Sequence, residues 1–176
     1  PPRAMHRSFF ARWLTVSRIV TVAVSLAGWA GAVRADTDRD GDGYDDLWQR
    51  LHGANPTTLP LAEDADGDGA TNGDESQAGT DPRDAASHLK IVETSESGGT
   101  VTLSVESVAG KRYQARQSAT PGGPWTDIGS PTTGTGSIVQ LSAPVGTGDR
   151  KCFRVAVSDQ DSDNDGATDW EEGVLG

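Results

Sequence analysis

The stretch Asp64-Ala65-Asp66-Gly67-Asp68-Gly69-Ala70-Thr71-Asn72-Gly73-Asp74-Glu75 puts oxygen-bearing side chains at positions 1, 3, 5, 9 and 12, with glycine at 6. That is the ligand order of a twelve-residue calcium loop. Side chains at 1, 3 and 5 converge on one ion, glycine permits the sharp turn, position 7 offers its carbonyl, and a long carboxylate at 12 closes the shell. The same order returns at Asp38 to Gln49 and at Asp161 to Glu172, with Gly43 and Gly166 in the sixth slot. Random acidic runs do not keep glycine at position 6 and Glu or Gln at position 12 three times over. A solvated acidic linker is therefore the weaker interpretation.

The candidate ligands follow from the pattern. In the first loop they are Asp38, Asp40, Asp42, Tyr44 through its carbonyl, Asp46 and Gln49. In the second they are Asp64, Asp66, Asp68, the Ala70 carbonyl, Asn72 and Glu75, and in the third Asp161, Asp163, Asp165, the Ala167 carbonyl, Asp169 and Glu172. Hard oxygen donors without His or Cys disfavour zinc and copper. Magnesium demands stricter octahedral geometry and keeps its waters, so Ca²⁺ is the expected ion. Gln49 is neutral and cannot chelate with two carboxylate oxygens, so the first site is expected to be the weakest.

The repeat is longer than the loop. Gly53, Gly79 and Gly176 each stand four residues after position 12, and the first two lead into Asn55-Pro56 and Asp81-Pro82. Glycine followed by such a pair is a helix stop and turn. Each unit thus reads as a loop, a helix of one or two turns, and a glycine-capped exit. No amphipathic helix precedes a loop, so these are half-hands held mainly by metal. The third copy ends at Gly176 where the others run on to proline, and is expected to be a truncated repeat.

Between the second and third loops the texture changes. Val101, Leu103 and Val105 alternate with Thr102 and Ser104; Val139 and Leu141 alternate likewise, as do Phe153, Val155 and Val157. Period two with one apolar face means half-buried strands. About six strands separated by glycine-rich turns predict a small antiparallel β-sandwich over 89–158. The expected fold is mainly β: a sandwich flanked by tandem calcium repeats over 36–88 and the truncated repeat over 159–176, with very short helices. Hydrophobic residues make up 34% of the 176, beside 22 Gly and 9 Pro, which favours small modules over one large core.

Residues 1–35 read as a secretion signal. Five arginines and no acid occur there, and Arg7, Arg12 and Arg18 precede an apolar run from Ile19 to Val33. Small residues allow cleavage after Ala32 or Ala35, with Ala35 preferred and Met5 as the start. An uncleaved anchor helix is the alternative, but the run falls short of the ~20 residues that span a bilayer. The net charge is −11, and all 26 acids follow Ala35. Such a surface repels nucleic acid and, once the signal is removed, anionic membranes; it attracts divalent cations. One cysteine, Cys152, excludes an internal disulfide framework.

No catalytic constellation emerges. His52 and His88 have no nucleophile motif nearby and read as surface residues. The paired carboxylates fall inside metal loops. Tyr113 and Trp125 admit a sugar-binding platform, but packing is the commoner role. Cys152 faces away from the Phe153, Val155, Val157 stripe and reads as an inert thiol.

The Asp64 to Glu75 loop with its Gly79-Thr80-Asp81-Pro82 exit resembles the bacterial thrombospondin type 3-like calcium repeat. The resemblance covers about 36–88 and 159–176. The segment with Gly110-Lys111-Arg112-Tyr113, Pro124-Trp125-Thr126 and Phe153-Arg154-Val155 is similar to β-sandwich modules beside such repeats in secreted bacterial proteins. The resemblance implies a secreted or cell-surface, calcium-stiffened spacer or adhesion segment of a larger protein, without catalysis, whose partners are calcium, neighbouring domains of the same chain, or an extracellular protein or glycan. Two alternatives stay open: a dockerin-like binding module, and the non-catalytic N-terminal part of a secreted enzyme.

Overall fold

Alternating Val101, Leu103 and Val105 lie on one face of a strand and are all buried. In the computed structural model this strand, β3 (Thr100–Glu106), is the middle of a three-stranded antiparallel sheet. It pairs on one side with β2 (Ile91–Ser97) and on the other with β7 (Ile138–Pro144), Leu103 lying opposite Leu141. The structure describes residues 20–22 (backbone only), 38–144 and 151–176. Most of the predicted signal segment lies outside the described residues.

The facing sheet centres on β4 (Arg112–Ser118) and β8 (Lys151–Ser158), antiparallel with Ala115 opposite Val155. Two short strands, β5 (Thr126–Asp127) and β6 (Thr132–Thr133), pair with β4. The other edge of β8 is paired in parallel by β1 (Val20–Val22), which belongs to the apolar run read as a signal. The described residues thus form eight strands, seven of them within 89–158 where about six were expected; the two-residue strands β5 and β6 are too short to show alternation. Side chains from both sheets meet in one core that includes Leu89, Leu141, Tyr113, Phe153 and Val155. The fold is mainly β, in antiparallel sheets apart from the β1–β8 pair. β2 is exposed beyond Ile91, and Glu93 and Glu96 keep this edge charged, which discourages pairing with another chain.

Among the described residues there are three seven-residue helices: α1 (Asp46–His52), α2 (Asn72–Ala78) and α3 (Asp169–Leu175). Each starts at a side-chain cap, Asp45, Thr71 or Thr168, whose oxygen accepts an N–H of the first turn. Thr71 with Asp74, and Thr168 with Glu171, form reciprocal capping boxes. Gly53 and Gly79 end the first two in the left-handed conformation. Among the described residues no helix is long and apolar enough to cross a membrane.

Helices this short cannot stand alone in water. The first and third are held by a second apolar cluster of Tyr44, Leu47, Trp48, Ala54, Leu59 and Trp170, with Leu61 and Val108 against it. Trp48 comes from α1, Trp170 from α3 and Val108 from the sandwich, so the cluster ties the first and third loops to the β3–β4 connection. Each buried indole removes about 150–250 Å² from water, on the order of 4–6 kcal/mol before ordering costs. The loop segments therefore have an apolar support that the reading of metal-held half-hands did not include. Two residues of α1 and one of α3 face it, too few to show a period.

Candidate metal centre

The loops are built by backbone turns before any side chain converges. Positions 4 and 6 both take positive φ: Gly41 and Gly43, Gly67 and Gly69, Asn164 and Gly166. Asn is among the few L-residues that tolerate this region. The turns point N–H groups inward, toward the first carboxylate. Asp38 Oδ2 accepts from Gly43 N–H at 3.0 Å, Asp64 Oδ2 from Gly69 at 2.9 Å, and Asp161 Oδ2 from Gly166 at 3.2 Å. The sequence pattern singled out position 6 only; the recurrence of Gly41 and Gly67 in the fourth slot was the signal for the other.

Positions 1, 3 and 5 are brought together in every loop. Asp38, Asp40 and Asp42 form one group, Asp64, Asp66 and Asp68 a second, and Asp161, Asp163 and Asp165 a third, with ligand oxygens within 4.8 Å of one another in each. At position 5 one oxygen accepts the N–H of position 7: Tyr44 to Asp42 at 3.0 Å, Ala70 to Asp68 at 2.7 Å, Ala167 to Asp165 at 2.9 Å. This fixes the carboxylate and leaves its second oxygen for another partner.

Position 12 differs from loop to loop. Glu75 is fully buried; Oε1 accepts from Thr80 Oγ1 at 3.4 Å and Oε2 has no partner. Asp66 Oδ2 and Asp68 Oδ2 are likewise buried without a hydrogen bond. Burial, then the charges of Asp66 and Asp68, push the Glu75 carboxyl up to about 8. Glu172 is exposed, and the Asp163 charge is the main cause of its raised pKa. In the first loop Gln49 Nε2 donates to Asp42 Oδ2 at 2.6 Å.

Position 9 braces the loop. Asp46 Oδ1 accepts from Arg39 N–H at 3.3 Å, and Asp169 Oδ1 from Ser162 N–H at 2.8 Å. In the second loop Asn72, fully buried, donates Nδ2–H to the Pro60 carbonyl at 2.8 Å, and its Oδ1 has no partner.

The loops are also tied to each other. Asp45 N–H donates to Ser76 Oγ at 2.9 Å, and Trp48 Nε1–H to the Thr80 carbonyl at 2.6 Å, joining α1 to α2 and its exit. Lys111, fully buried at the start of β4, donates to Asp159 Oδ1 at 2.6 Å. Asp45 sits in this junction with Oδ2 buried and without a hydrogen bond, and desolvation raises its carboxyl to about 6.

The remaining candidates resolve as follows. His52 and His88 are half-buried rather than surface residues. His52 packs on the Trp48 ring, and His88 Nδ1 lies 3.0 Å from both the Ala85 carbonyl and Asp68 Oδ2. Tyr113 is core: its hydroxyl accepts from Val108 N–H at 2.7 Å. Trp125 is half-buried beneath the Arg154 guanidinium, 4.5 Å from the ring centre. Cys152 is a buried free thiol.

Such a set of hard oxygens can hold a cation of matching hardness; its second loop has the buried, unpartnered oxygens that a cation satisfies. Compared with known proteins, the chain matches no family model, no curated relative and no solved structure.

Proposed function

We propose that this chain is a calcium-binding, non-catalytic segment of a larger secreted or surface-attached bacterial protein, of the thrombospondin type 3-like kind, serving as spacer or adhesion element. Ions in the loops brace the short helices against the β-sandwich. One observation carries the reading: Asp66 Oδ2 and Glu75 Oε2 are buried in one loop without a partner, and Asp68 Oδ2, also without a hydrogen bond, faces only His88 Nδ1. Ionised carboxylates so placed repel each other and lack the water that would solvate them. A divalent cation supplies the missing compensation. Calcium suits the site because it accepts six to eight oxygens in flexible geometry.

Bound ions stabilise the folded state by RT ln(1 + [L]/Kd). Extracellular modules bind at about 10⁻⁴–10⁻³ M, which suits a structural staple better than a sensor. Terbium luminescence tests the proposal, since Tyr44, Trp48 and Trp170 lie within or beside their loops. Sensitised emission displaced by calcium is expected. Absence of emission from the folded protein, or emission that calcium does not displace, contradicts it.

A further inference from the structure

The first loop differs from the other two in one contact. Gln49 stands at position 12, and its Nε2 lies 2.6 Å from Asp42 Oδ2. A carboxylate oxygen accepts only, so the amide must present N–H rather than oxygen to it. The other Asp42 oxygen already accepts from Tyr44 N–H at 3.0 Å, and both oxygens of Asp38 accept from the backbone, at 3.0 Å from Asp42 and from Gly43. Asp42 therefore has a donor on each oxygen. Among the described residues, none of the first loop's ligand side chains has a buried atom without a partner, in contrast to Asp66 and Glu75 in the second.

Resting on the calcium function proposed above, we infer that Gln49 closes the first loop with its own amide, so that this loop folds without an ion while the others take one. The amide N–H does for Asp42 what a cation does for Asp68. To admit an ion, the loop must break the Gln49–Asp42 bond and turn the amide over to present its oxygen. The ion then gains a single neutral ligand in place of a chelating carboxylate. The first loop becomes a standing support, on whose far side Tyr44 and Trp48 form the shared apolar cluster. Calcium then acts on a scaffold already in place on that side.

Counting bound calcium by equilibrium dialysis of the full chain, at millimolar free calcium, tests this. Gln49→Glu is expected to bind one ion more than the parent, because the carboxylate restores a ligand and removes the internal donor. Asp42→Asn is expected to leave the parental count unchanged, and Glu75→Gln to weaken one site at least tenfold. A parental count of three, equal counts for Gln49→Glu and parent, or loss of an ion in Asp42→Asn overturns the inference while leaving the calcium function standing. A parental count of zero removes both.

Discussion

The Lys111 ammonium lies 4.4 Å from the centre of the Trp170 indole, although 59 positions separate the two residues in the chain. Its charge is shared between that ring and Asp159, while the side chain itself is wholly buried. Trp170 belongs to the third loop's helix and Asp159 to the segment leading into that loop. One lysine of the sandwich thus holds the third loop on both sides. Gly79, the cap of α2, approaches the same pair so closely that an added Cβ would lie 3.0 Å from Trp170 Nε1 and 3.2 Å from Lys111 Cε.

Replacing Lys111 with methionine tests this contact. The apolar stem is kept and the charge is lost, which removes a desolvated cation–π contact and leaves Asp159 unpaired. Asp159 is 30% exposed and regains water, so the cost falls below that of a fully buried pair. Urea denaturation is expected to show a loss of about 2 kcal/mol. A change within about 0.5 kcal/mol, the range of ordinary surface substitutions, would contradict the assignment.

Gly110 makes the neighbouring contact with backbone alone. A Cβ there would lie 2.5 Å from Trp170 N and 2.6 Å from the Asp169 carbonyl carbon, at φ +77°. Gly41 has nearly the same φ, +75°, with nothing within 4 Å. Gly41→Ala is therefore expected to cost only the left-handed penalty of about 1–2 kcal/mol. Gly110→Ala meets immovable main chain and should cost clearly more, with Trp170 fluorescence shifted to the red as α3 leaves the sandwich. Equal losses in the two variants would mean that α3 does not dock as described.

Much of this was legible from residue order. The D-x-D-x-D-G pattern gave the three convergent acid groups, the glycines four residues past position 12 gave the helix ends, and the alternation at Val101, Leu103 and Val105 gave the core face of β3. What escaped was long-range. Nothing beside Lys111 in the sequence marks it as buried; Asp159 and Trp170, which cover it, are 48 and 59 positions away. The cluster under the loops takes two residues from α1, one from α3 and the rest from connecting segments, so no window shows a stripe. Position 9 pointed to ligands, and Asp46 and Asp169 also spend hydrogen bonds on bracing the loop. Val20–Val22 was read by hydropathy alone, which does not distinguish a signal from a strand added to the edge of β8.

The carboxyls set a pH dependence for the calcium-free protein. Glu75 is raised from an ordinary 4.5 to about 8, and Asp45 from 3.8 to about 6, both chiefly by burial. A folded state that holds protons more tightly than the unfolded one loses stability as pH rises through that interval. Asp66 and Glu172 shift in the same direction; His52, lowered mainly by burial, opposes them in this range, whereas the lowering of Asp64 acts only at acid pH. With calcium chelated, the urea midpoint is expected to fall between pH 5 and pH 8. Glu75→Gln should flatten most of that fall, and calcium should abolish it by binding the ionised form. A midpoint that rises across this range in the chelated protein would contradict the burial of Glu75.

The most direct measurement is calorimetric titration of the full chain with calcium at neutral pH after chelator treatment, beside Glu75→Gln. The second loop should bind calcium saturably and in preference to magnesium, with proton release whose apparent heat depends on the buffer. Glu75→Gln should weaken that binding at least tenfold. Absence of saturable calcium binding, or identical binding by Glu75→Gln, would contradict the proposal that these loops are built around calcium.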